Sequence, residues 1–111
     1  MLPAKPIQYH YCIVRKDLPL GVLSSHLVHA SADTGPVDPG THALVLSATA
    51  ENNLLKIEQQ LSRYQIKHHS IREPDSPWNG ELMAIGLYPT SDRGSVKPIT
   101  KKLRLLLGGE K

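Results

Sequence analysis

Three charged residues, Arg15-Lys16-Asp17, follow directly on the apolar run Tyr11-Cys12-Ile13-Val14. After Gly21 the pattern turns to helical spacing, with Leu20, Leu23 and Leu27. The stretch therefore reads as a strand end, a tight charged loop and a helix start. Ligands of α/β sheets bind outside the carboxyl ends of strands, at such crossings. Arg15 and Lys16 could hold phosphate, the arginine in bidentate fashion. Asp17 could orient a cation, bind a water or simply form the turn. Gly21 would let the backbone turn into the helix, whose first N–H groups can face an anion.

Further polar groups could join that site. His29 lies on the first helix with Ser25 one turn before it, so it is either a polar group facing substrate or a hydrogen-bonded histidine of a packed surface. Asp75 and Trp78 lie in the turn-rich segment Glu73–Gly80. The tryptophan could stack on a base or cover the edge of the core. His26, His29 and Asp33 fall at i, i+3 and i+7, a spacing that could offer ligands to a divalent metal. No fourth ligand is evident, and no metal or other cofactor is expected. Arg93, Lys97, Lys101, Lys102 and Arg104 form the densest basic segment, without an acid between them. Lys97, Lys101 and Arg104 are expected on one helix face, as either a solvated surface or a contact for a phosphate backbone.

These residues need a scaffold, and the apolar pattern supplies one. Strands are expected over Ile7–Val14, His42–Ser47, Ile66–Arg72 and Leu82–Tyr88. The first and last end in near-continuous apolar runs and should be central, whereas the third is polar enough for an edge. Helices are expected from Gly21 to Ala32, after a Thr49 cap, and from a Ser95 cap to the Leu105-Leu106-Leu107 run, stopped by Gly108. The middle helix carries one stripe, Leu54, Ile57, Leu61 and Tyr64, and reads as packing only. The expected class is α/β, a mixed four-stranded sheet in β-α-β-α-β-β-α order with helices on both faces.

The 111 residues suit one domain, 1–111. A formal charge of +3 permits a polyanion partner without demanding one. The single Cys12 excludes a disulfide framework and a cysteine-based zinc cluster, and its apolar setting points to an inert thiol. No signal-like segment opens the chain, and no apolar run approaches the roughly 18 residues of a membrane span. A cytoplasmic protein is the expectation.

Arg15, Asp17, Leu18, Gly21, Ser24, Ser25, His29 and Ala30 together resemble the signature of the type II peptidyl-tRNA hydrolase family. The likeness in element order runs from about Gln8 to Leu107. Two positions depart from it. Members typically carry Lys after the helix-start Gly, where this chain has Val22, and Gln three residues before the His, where it has His26. Asp75 and Gly80 are the counterparts of the family's Asp-containing loop.

The resemblance implies hydrolysis of the ester between a peptide and the 3′ ribose of tRNA, without metal. His29 or Asp75 would position the water. N–H groups from Gly21 to Leu23, with Ser24, would stabilise the oxyanion, and Asp17 would belong to the same site. Arg15, Lys16, Gly21, Trp78, Lys97, Lys101 and Arg104 would hold the tRNA. Peptidyl-tRNA is the expected partner, no membrane is expected, and a homodimer is left open. The alternative is a tRNA- or nucleotide-binding module that kept the fold and lost the reaction, which the absence of a cation at Val22 favours.

Overall fold

The computed structural model describes residues 6–106. Five strands alternate with three helices: β1 (Tyr9–Arg15), α1 (Leu20–Asp33), β2 (His42–Ala48), α2 (Glu51–Arg63), β3 (His68–Glu73), β4 (Glu81–Leu87), α3 (Arg93–Thr100) and β5 (Arg104–Leu105). The sheet order is β3-β4-β1-β2-β5. β1 and β2 are parallel, while the β1–β4, β3–β4 and β2–β5 pairs are antiparallel. The mixed α/β class is as expected. β1 and β4 are internal and β3 is an edge strand.

The expected four-stranded sheet gains a fifth strand, because the last helix is shorter than its composition suggested. α3 ends at Thr100, a turn and a bend follow through Leu103, and Arg104 and Leu105 are extended. Arg104 and Leu105 then pair with Ser47 and Leu46 of β2. Edge pairing satisfies backbone groups that β2 would otherwise leave open, which a further helical turn would not do. Leu103 packs on the α2–α3 side of the sheet and Leu106 on the α1 side. Arg104 is therefore not on a helix face with Lys97 and Lys101. Leu107 and Gly108, the expected end of that helix, lie outside the described residues.

Two apolar layers sandwich the sheet. Tyr11, Ile13 and Leu46 meet Leu54, Ile57 and Leu61 of α2 and Val96 and Ile99 of α3. On the other face Cys12 and Val14 meet Leu23 and Ala30 of α1. Tyr64, expected in the α2 stripe, caps that helix and is exposed. The Thr49 cap is also reversed: Asn53 accepts from the Thr49 N–H through its side chain, while Ala50 occupies the cap position. At α3 the cap is Asp92 rather than Ser95, its carboxylate accepting from the Ser95 N–H.

The buried stripe of α1 differs from the expected Leu20, Leu23 and Leu27. It consists of Leu23, His26 and Ala30, and Leu20 is 78% exposed. The reason lies in β4. A Cβ at Gly86 would stand 2.5 Å from the Ala30 carbonyl oxygen, so the bare glycine lets α1 seat directly on the sheet at Ala30. That rotation turns His26 inward and Leu20 and Val28 outward.

Candidate functional site

β1, β2 and β3 run in the same direction, so their carboxyl ends share one end of the sheet with the starts of α1 and α2. Arg15 forms the floor of that mouth. Its guanidinium is buried, and it is engaged on every side. Nε and Nη2 donate to the two Asp17 oxygens at 3.0 and 2.8 Å, a bidentate pair. Nη1 donates to Glu81 Oε1 at 2.8 Å and to the Leu82 carbonyl at 3.1 Å. The Leu82 carbonyl is presented where the β3–β4 register shifts, because Ile71 faces Ala84 while Arg72 faces Leu82. A bulge of this kind re-aims the groups around it. Hydrogen bonds from Arg15 hold the Asp17 carboxyl below the usual carboxylate range. Trp78 lies 5.9 Å from the guanidinium carbon and packs on the α1-side core. Arg15, expected to grip phosphate, thus locks the charged loop to β4, and Asp17 orients it.

A groove of about 390 Å³ opens above this floor, between the start of α1 and the β3–β4 loop. Gly21, Val22 and Ser25 form one wall, and Asp75 and Trp78 the other. Gly21 is an ordinary helical residue with nothing within 4 Å of a would-be Cβ, so it leaves space rather than making a turn. Pro19 provides no side-chain cap, and the first backbone bond of the helix runs from Leu23 N–H to Pro19 O at 2.9 Å. The Leu23 amide, expected among the oxyanion donors, is therefore already engaged.

His26 and Glu73 form the base of the groove. The His26 Nδ1 lies 2.8 Å from the Val22 carbonyl oxygen, and Nε2 lies 3.2 Å from Glu73 Oε1. Both ring nitrogens face acceptors. The second Glu73 oxygen accepts from the Asp75 N–H at 3.1 Å. Glu73 therefore couples the histidine on α1 to the loop carrying Asp75.

The remaining expected residues lie elsewhere. Ser24 and His29 are exposed on α1 and do not line the groove, although the His29 ring stands edge-on to His26 at 6.1 Å. Asp33 pairs with His69 of β3 at 3.5 Å, so His26, His29 and Asp33 do not converge. Lys97 and Lys101 border a second groove together with Arg93, which donates to the Tyr11 hydroxyl and covers the Tyr9 ring. Lys16 and Arg104 border a third. Burial pushes the Cys12 thiol up to about 11, so it is protonated at neutral pH.

Sequence reasoning missed Glu73, and it treated His26 mainly as a possible ligand. A signal for His26 existed: it stands one turn after Val22, on the helix face that meets the mouth. Nothing local marked Glu73, which acts across 47 residues.

No protein-family model and no curated protein matches the chain. Among solved structures it is similar to a protein of unknown function from Agrobacterium tumefaciens strain C58, with 21% identity and a TM-score of 0.57 over 90% of this chain and 98% of that one. The likeness extends to the fold alone.

Proposed function

We propose that the chain hydrolyses the ester joining a peptide to the 3′ ribose of tRNA, as type II peptidyl-tRNA hydrolases do. One observation carries the reading. Gly21, His26, Glu73, Asp75 and Trp78, contributed by elements far apart in sequence, line a single groove at the carboxyl end of the sheet. Asp75, exposed at its rim, accepts a proton from the attacking water. The water oxygen bonds to the ester carbonyl carbon. The developing oxyanion is met by the free N–H groups of the first α1 turn, while His26, held by Val22 and Glu73, keeps the groove's base in place. As the bond to the ribose oxygen breaks, the proton returns from Asp75 to that oxygen. Trp78 offers a partly open ring for the terminal base or ribose.

The test is turnover of peptidyl-tRNA beside a tRNA titration. Asp75→Asn should lower turnover by about two to four orders of magnitude, with tRNA affinity retained. Val22→Lys should raise the rate by adding a cation one turn before His26. Absence of hydrolysis above background in both the parent chain and Val22→Lys would remove the catalytic reading. The second reading, a binding module, would then stand. It is favoured by the engagement of the mouth's polar groups with one another, Arg15 with Asp17 and Glu81, and His26 with Glu73.

A further inference from the structure

On the α2 side of the same sheet end lies a groove of about 350 Å³, at the small end of the range for ligand sites. Four cations line it, and they come from four separate places: Lys16 after β1, Lys56 on α2, Lys102 after α3 and Arg104 on β5. No carboxylate lines it. All four are exposed, and among the described residues none lies within salt-bridge distance of an acid. Among the described lysines and arginines only Arg15 and Arg72 pair with carboxylates, and what sets these four apart is that separate elements bring them around one hollow. Four like charges held around one hollow repel one another, and an anion in the hollow relieves that cost.

The neutral lining is suited to the same ligand. Thr49, Asn53 and Gln60 add hydroxyl and amide groups. The Asn53 carbonyl oxygen already accepts from the Thr49 N–H, which leaves its amide N–H groups as donors. No aromatic residue lines the groove, so it offers nothing for a base to stack on. Such a lining suits a phosphate backbone with its bases turned outward.

We propose that this groove binds the phosphodiester backbone of a single nucleic-acid strand without regard to sequence. The site extends the proposed function, since Lys16 stands at the sheet end shared with the mouth. Lys56 and Asn53 make α2 a contact element as well as a packing one. The binding claim itself does not depend on ester hydrolysis.

The test is fluorescence anisotropy with a labelled single-stranded RNA of roughly six nucleotides, and its DNA counterpart, across a potassium chloride series. Lys56→Glu with Lys102→Glu should weaken binding by about tenfold and flatten the plot of log affinity against log salt, by about 0.7 per lost contact. Lys97→Glu with Lys101→Glu, in the neighbouring groove, should cost less. Comparable binding of RNA and DNA supports backbone recognition, whereas a strong dependence on base sequence overturns it. Unchanged affinity and salt slope in the Lys56/Lys102 variant overturn the site, as does a larger loss from the Lys97/Lys101 variant. Capture by anionic lipid vesicles in place of either strand does the same. Lys56→Gln with Lys102→Gln, checked for an unchanged melting temperature, separates lost contact from misfolding. A protein that binds the strand through this groove yet leaves peptidyl-tRNA intact would refute the hydrolase and keep the site.

Discussion

The mouth and the basic groove share one end of the sheet and handle charge in opposite ways. In the mouth Arg15 meets Asp17 and Glu81, and His26 meets Glu73. In the groove Lys16, Lys56, Lys102 and Arg104 face one another without an acid. The difference follows from burial. A buried guanidinium must be paired, because an unpaired charge out of water is costly, while an exposed ammonium keeps its water and needs no partner. Paired charges hold the fold together, and unpaired ones remain available to a ligand. The mildly positive net charge of the chain does not distinguish the two.

The sharpest way to break this comparison is Arg15→Met. It leaves two partly exposed carboxylates without their cation and should lower stability by about 3 kcal/mol, read from urea unfolding. A loss below about 1 kcal/mol would mean the guanidinium is not structural. Glu73→Gln comes next. It weakens the link between α1 and the β3–β4 loop and should cost about 1 kcal/mol. A shifted His26 imidazole resonance in NMR would show that the same contact holds the ring.

A gentler effect is expected with pH. His10 is buried, its ring nitrogen 2.7 Å from the Thr34 hydroxyl, which itself donates to the Ala30 carbonyl. Burial holds the His10 pKa below its ordinary value of 6.5. The unfolded chain therefore takes up this proton at a higher pH than the folded one. Stability from His10 is complete above pH 6.5 and is lost as pH falls through the lower folded value. Asp17, also depressed, adds a second loss only below its ordinary 3.8. His10→Gln should flatten the first of these slopes in melting curves taken between neutral and mildly acidic pH, while charge changes in the basic groove should leave it in place. The smallest effect completes the contrast: Lys56→Ala and Lys102→Ala should each move stability by no more than about 0.5 kcal/mol, whatever they do to strand binding. A larger loss would make these lysines part of the fold.

Much of the architecture was legible in local pattern. Near-continuous apolar runs marked β1 and β4 as internal strands, because a strand covered on both faces has no need of alternation. The polar His68-His69-Ser70 marked β3 as an edge, and Leu54, Ile57 and Leu61 gave α2 its buried face by spacing alone. The charged loop at the end of β1 could be found because charge directly after an apolar strand is a local signal. No helix among the described residues is long and apolar enough to cross a membrane, in keeping with the absence of a long apolar run.

What the pattern could not carry were the choices made by contact between distant residues. Leu103 to Leu106 have the composition of a helix, yet the open edge of β2 draws Arg104 and Leu105 into a strand. Leu20 has the right spacing to be buried, yet the glycine at position 86 lets Ala30 seat on the sheet and turns Leu20 outward. Arg15 looks like a phosphate ligand until Glu81, 66 residues away, closes on it. Arg104 reads with Lys97 and Lys101 as one helix face, yet the break after Thr100 sends it with Lys102 to a different groove, where Lys16 and Lys56 join them. Residue types and their periodicity are properties of the chain and determine which segments bury and which bend. Which charge meets which partner depends on how those segments lie against one another, and only the tertiary structure decides that.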